Sequence, residues 1–175
     1  MPTPEHRVLI SEQALAARVS ELAVEIARAL PARDPLVIGL LRGSFVFLAD
    51  LGRALVREGV DPEIDMEWVT RYVGDERAGE LRTIRDVESR VAGRVVLLVD
   101  DIVDTGLTLS HVHARLAARS PLWLATCVLL DKRGARQVPF EPEFRGFDAP
   151  DEWVFGYGLD TNNFGRSLPH LATKK

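Results

Sequence analysis

The sequence predicts an α/β fold with a central, mostly parallel sheet flanked by helices, on three observations. Val95, Val96, Leu97, Leu98 and Val99 form a continuous aliphatic run, which suits a strand covered on both faces. The run ends in Asp100 and Asp101 and a turn, Asp104-Thr105-Gly106-Leu107-Thr108, that leads into a helix. Strand-like segments alternate with helix-like ones along the middle of the chain, as in a parallel sheet with helical crossovers.

In chain order, Ser11 can cap a helix whose apolar positions Leu15, Val19, Leu22, Ile26 and Leu30 recur at three- and four-residue intervals. Leu36 to Leu40 reads as a short buried strand and Phe45 to Arg57 as a helix. Ile64, Met66 and Trp68 alternate with Asp65 and Glu67 as in a half-exposed strand. Arg71 to Glu80 is polar and glycine-bearing between two extended segments, which predicts a long surface loop. Leu109 to Ala118 continues the helix begun at the turn, and Leu122 to Leu130 and Trp153 to Leu159 supply further strands. No linker, repeat or low-complexity segment interrupts the chain, so residues 1–175 read as a single domain.

Composition bounds the function. With 175 residues and 46% hydrophobic content the chain can bury a real core. No apolar run approaches the roughly 20 residues of a membrane span, and the polar N-terminus lacks a signal-peptide core. The one cysteine, Cys127, lies inside an apolar run and reads as a buried inert thiol. A cytoplasmic protein with no membrane partner is expected. The net charge of −4 argues against general nucleic-acid binding, yet permits an anionic substrate where local amides or a bound metal set the field.

The chemistry concentrates in Val95 to Ser110. Open α/β sheets bind ligands beyond the carboxyl ends of their strands, so Asp100 and Asp101 can accept hydrogen bonds from vicinal hydroxyls or hold magnesium. Small residues and hydroxyls at a helix entrance leave backbone N–H groups free to surround a phosphate. The plainer alternative is a strand followed by an acidic turn, with Asp104 as a helix cap. A receiver domain would need more chain after Asp101 than is present, and the glycine fingerprints of dinucleotide and phosphate-loop folds are absent.

VVLLVDDIVDTGLTLS, Val95 to Ser110, resembles the phosphoribosyl-pyrophosphate (PRPP) signature of type I phosphoribosyltransferases. LLRGSFVFLADL at Leu40 to Leu51, LLDKR at Leu129 to Arg133 and PDEWVFGYGLD at Pro150 to Asp160 narrow the resemblance to the hypoxanthine-guanine branch, in the family's order. It spans roughly Ile10 to Pro169. The resemblance implies the type I phosphoribosyltransferase fold, with a small hood from the N- and C-terminal segments and a mobile loop over the site. The implied activity is Mg2+-dependent transfer of a 5-phosphoribosyl group from PRPP to N9 of hypoxanthine or guanine. The products would be IMP or GMP and pyrophosphate, in purine salvage by a homodimer or homotetramer.

The same resemblance distributes roles. Asp100 and Asp101 would bind the ribose hydroxyls and metal, and Asp104, Thr105, Gly106, Leu107 and Thr108 the 5′-phosphate. Asp104 would also face N7 of the purine as general base. Lys132 would donate to the carbonyl at C6, Trp153 would stack on the ring and the backbone of Val154 would read its edge. Arg42, Gly43 and Arg166 would hold pyrophosphate, and Asp160 a second magnesium. The family often has a non-proline cis peptide, expected here at the Arg42-Gly43 bond. Arg71 and Tyr72 would belong to the closing loop. Taken singly, Trp153 reads as a core aromatic, Lys132 as a solvated turn lysine and the 71–80 stretch as a hairpin tip.

Four positions depart from many relatives. Asp100 stands where Glu is common, Arg42 where Lys is common, Arg71 where Ser precedes the loop tyrosine, and Thr161 where Tyr follows the aspartate. The first two keep their charge. Two competing functions stand beside the main one: a phosphoribosyltransferase-fold RNA-binding regulator, which would need a basic face, and an enzyme of the same fold preferring xanthine or adenine.

Overall fold

The computed structural model describes residues 5–71 and 81–175, Arg71 through its backbone alone. Its main sheet has six strands: β2 (Leu36–Leu41), β3 (Glu63–Arg71), β4 (Leu81–Arg85), β5 (Val95–Val103), β6 (Trp123–Asp131) and β7 (Phe144–Asp148), in the order β4-β3-β2-β5-β6-β7. Every neighbouring pair is parallel except β3 with β4. A smaller antiparallel sheet joins β1 (His6–Ile10), β9 (Leu171–Lys174) and β8 (Val154–Phe155) in the order β1-β9-β8. The two chain ends thus build the expected hood.

Helices α1 (Glu12–Ala29) and α2 (Phe45–Arg57) share one core with one face of the main sheet. The Ser11 hydroxyl accepts the Ala14 N–H at 3.2 Å, a cap worth about 1 kcal/mol. Leu15, Val19, Leu22, Ile26 and Leu30 are all buried against α2 and the sheet, and each such side chain contributes roughly 1.5–3 kcal/mol. The opposite face carries α3 (Leu107–Ala117) with Val87 and Val91, over Leu36, Ile38, Leu40, Val96, Leu98 and Val128. Central strands covered on both faces explain the unbroken apolar run at β5. Cys127 is fully buried in β6, and burial pushes its thiol far up, so it is inert.

Two expectations need correction, and one alternative falls. Alternation in β3 is present with the opposite sense: Asp65 and Glu67 are buried and Ile64 is 45% exposed. The polar side is the covered one because partners meet it there. The Asp65 carboxylate accepts the N–H groups of Glu88 and Ser89, and Glu67 pairs with Arg115 of α3. The strand expected over Trp153 to Leu159 is only Val154–Phe155, and it belongs to the hood. Positive φ at Gly156, Tyr157 and Gly158 ends the extended run in turns. The helix after the turn is capped by Gly106 in a left-handed conformation, so Asp104 is not its cap.

β7, β1 and β9 were not expected as strands from the residue pattern. The segment 72–80 of the expected surface loop, with Tyr72, lies outside the described residues; Arg71 ends β3. No described helix is long and apolar enough to cross a membrane.

Candidate active site

β2 and β5 lie side by side, yet the chain leaves β2 toward β3 on one side and β5 toward β6 on the other. This is a topological switch point, where open α/β sheets bind ligands. β5 pairs with β2 only as far as Val99 and continues along β6 to Val103. The acids therefore sit inside the strand, three and two residues before its end, just past the last pairing of β5 with β2.

Two hollows open here. The first, about 380 Å3, is lined by Asp100, Asp104, Thr105, Gly106, Leu107 and Thr108 together with Gln137. The second, about 290 Å3, is lined by Gly43, Asp101, Lys132, Trp153, Val154, Asp160 and Arg166. Ile102 and Asp104 line both, so Asp104 stands on the shared wall.

The paired acids are held in unusual states. Asp100 Oδ1 accepts the Asp101 N–H at 2.9 Å, and Asp101 Oδ1 accepts the Ile102 N–H at 2.8 Å. Burial, and after it the charge of Asp101, holds the Asp100 carboxyl well above the ordinary carboxylate range. Burial raises Asp101 as well, against hydrogen bonding and the Arg166 charge. Two such groups favour a cation or hydroxyl donors beside them. Among the described residues no group of three or more His, Cys, Asp or Glu could hold a metal. The pair therefore fits a hard ion that keeps water and substrate oxygens among its ligands.

In the second hollow Lys132 is mostly covered and its Nζ lies 3.0 Å from Asp151, so it is not a solvated turn lysine. Trp153 is 62% exposed at the mouth, which rules out the core reading. Arg166 donates to the Gly158 carbonyl at 2.7 Å and pairs with Asp160, whose other oxygen accepts the Asn163 N–H at 2.7 Å. The expected metal ligand and the expected pyrophosphate cation are thus partners of each other.

Arg42 lines neither hollow. Its guanidinium lies 5.7 Å over the Trp68 ring and reaches the Asn163 side-chain oxygen at 3.5 Å. The cis peptide is Leu41-Arg42, one residue before the expected Arg42-Gly43 bond, at the last residue of β2. There the Ser44 hydroxyl donates back to the Leu40 carbonyl at 2.5 Å. Gln137, Asp151, Trp68 and Arg136 were missed by sequence reasoning. The nearness of 136–137 to Lys132, and of Asp151 to Trp153 within Pro150 to Asp160, was the available signal.

A family model described as the phosphoribosyl transferase domain matches residues 9–162. The chain belongs to the phosphoribosyltransferase family. Within it, the hypoxanthine-guanine branch is the one represented. A hypoxanthine-guanine phosphoribosyltransferase of Aquifex aeolicus is 41% identical over 167 residues, covering 94% of this chain and 92% of that protein. A hypoxanthine phosphoribosyltransferase of Escherichia coli strain K12 is 40% identical, covering 94% and 93%. Among solved structures, a Bacillus anthracis hypoxanthine-guanine phosphoribosyltransferase superposes with a TM-score of 0.88 at 36% identity, over 97% of this chain and 98% of that one. The Trypanosoma cruzi hypoxanthine phosphoribosyltransferase in complex with its product IMP gives 0.90 at 37%, over 98% and 95%. The phosphoribosyltransferase fold expected from the sequence is therefore the fold observed.

Proposed function

We propose that residues 1–175 act as one phosphoribosyltransferase domain that transfers the 5-phosphoribosyl group of PRPP to N9 of hypoxanthine or guanine. IMP or GMP and pyrophosphate are the products, and purine salvage is the role. The observation that carries this reading is Asp104 on the wall between the two hollows, one floored by an amide-rich loop and the other walled by Lys132 and Trp153. A sugar bridging the hollows places its reacting carbon beside that carboxylate.

The first hollow takes the 5′-phosphate on the backbone N–H groups and hydroxyls of residues 104–108. Asp100 and Asp101 hold the ribose hydroxyls and would hold one Mg2+, and Asp160 would hold a second. When bound, Mg2+ supplies charge neutralisation on the diphosphate oxygens. Arg42, the Gly43 backbone and Arg166 receive the leaving pyrophosphate, which requires Arg166 to exchange Asp160 for the ligand. Lys132 donates to the purine carbonyl, Trp153 covers the ring and the Val154 backbone reads its edge. Asp104 accepts the N7 proton as N9 attacks.

The residues derive most of their effect from positioning charge where it develops. Adenine would turn an amino donor toward Lys132, a pairing of two donors that discriminates strongly. A cytoplasmic location belongs to the same reading, and the family resemblance supports a homodimer or homotetramer.

Pyrophosphate release with PRPP and Mg2+, measured separately with hypoxanthine, guanine, xanthine, adenine and uracil, tests the proposal. Turnover with hypoxanthine or guanine and not adenine is expected. Turnover only with another base would keep the PRPP site and overturn the base pocket.

A further inference from the structure

Three consecutive residues after the 3-10 turn Arg133–Ala135 grip three consecutive residues of the phosphate loop. Arg136 Nη1 donates to the Asp104 carbonyl at 2.7 Å. The N–H groups of Gln137 and Val138 both donate to the Thr105 carbonyl, at 2.9 and 3.3 Å. Gly106, at φ 82°, lies under Arg136 and Val138, where a β-carbon would come within 3.1 Å of each side chain.

Arg136 is the member with a second anchor. Its Nη2 pairs with Asp131, whose side chain is fully buried at the end of β6, one residue before Lys132. Only 13% of the Arg136 side chain is exposed. Its planar guanidinium serves both partners at once from a fixed fork, which a lysine cannot do. A trans peptide points its carbonyl and the following N–H in opposite directions. Drawing the Asp104 carbonyl toward Arg136 therefore turns the Thr105 N–H away from it and fixes the backbone from which the Asp104 carboxylate projects.

We propose that Arg136 is a positioning residue for the transfer reaction: it locks the Asp104 peptide to the buried Asp131 and so holds the phosphate loop in register with the strand that ends one residue before the base-reading Lys132. This rests on the roles given above to Asp104 and to the loop. Arg136 lines neither hollow. It acts by setting the direction of the base and of one phosphate donor, a geometry in which misplacement by about 1 Å can cost on the order of 10²-fold in rate.

Two variants separate positioning from charge neutralisation. Arg136→Met keeps the apolar stem over Gly106, and Asp131 retains Arg133 at 3.2 Å and Arg145 at 3.8 Å, so a folded protein is expected. Asp131→Asn/Arg136→Met removes the buried charge as well. The readouts are kcat, the separate KM values for PRPP and hypoxanthine, IMP affinity by calorimetry and the thermal midpoint. For Arg136→Met we expect kcat lower by on the order of 10²-fold, a raised KM for PRPP, weaker IMP binding and an unchanged KM for hypoxanthine. The double variant should recover the midpoint and neither kcat nor the KM for PRPP, and Arg136→Lys should recover only part of either.

Parental kcat and KM values in the double variant would overturn the proposal, leaving Arg136 as a counter-ion. Asp104→Asn serves as the control. If it is inactive while Arg136→Met is fully active, the positioning role alone fails; if Asp104→Asn keeps full turnover, the assignment of Asp104 fails first.

Discussion

A β-carbon placed on Gly43 would fall 1.5 Å from Oδ2 of Asp101. The backbone after β2 and the second acid of β5 thus share one space, which only a hydrogen at that position leaves open. This contact joins the expected pyrophosphate loop to the expected ribose site. Gly43→Ala should displace one of the two and lower turnover by on the order of 10²-fold, with a raised KM for PRPP. Steady-state kinetics with PRPP varied would check it, and parental values would sink the idea that the two subsites abut.

Asp104 lines both hollows, and its backbone is held by Arg136, so the side chain is free to serve as a base. Asp104→Asn keeps size and hydrogen-bonding reach and removes the basic oxygen. PRPP binding should persist while kcat falls by roughly 10²- to 10⁴-fold, the ordinary worth of a positioned base. Calorimetry for binding and a pyrophosphate assay for turnover separate the two. A near-normal kcat would remove Asp104 from the chemistry.

What was legible in the sequence is what is local. The cap and the buried face of α1 follow from capping and period, which involve residues three or four apart. The acids and phosphate loop were visible because they are contiguous. β1 and β9 are short and pair across the whole chain, His6 opposite Lys174, so no local pattern marks them. The sense of β3 was misread for the same reason: Arg115 and the amides of Glu88 and Ser89, which make burial of its carboxylates tolerable, lie far along the chain. Lys132 and Trp153 carried meaning only through the family resemblance, and that resemblance placed the cis peptide one bond too late.

Lys132 reaches the base-side hollow with its amine 3.0 Å from Asp151, a residue that is itself largely exposed. Its loss should therefore fall on the base. A hydrogen bond from a charged donor contributes about 1.5–3 kcal/mol, so Lys132→Ala should raise KM for hypoxanthine by about ten- to a hundred-fold. The KM for PRPP should change much less, and turnover with adenine should gain relative to hypoxanthine. Equal effects on both substrates would contradict a base-reading role.

Glu67 and Arg115 test the packing beneath the site. The Glu67 side chain is fully buried, pairs with Arg115, and leaves Oε2 without a hydrogen-bond partner; Arg115 also donates to the Thr83 hydroxyl at 3.2 Å. Burial raises the Glu67 carboxyl above its ordinary range despite the neighbouring cation. Removing Arg115 strands the acid, so Arg115→Leu should destabilise the protein by about 3–5 kcal/mol near neutral pH. Glu67→Leu/Arg115→Leu should sit close to the parent, since apolar replacement of a buried pair costs little. The folded-state affinity of Glu67 for its proton exceeds that of the unfolded chain, so its stability contribution is present in acid and is lost as pH rises past about 4. The Arg115→Leu penalty should accordingly shrink toward low pH. Denaturant titrations of both variants across pH would decide it: a penalty independent of pH, or a double variant as unstable as the single one, would show that the buried charge is not what Arg115 answers.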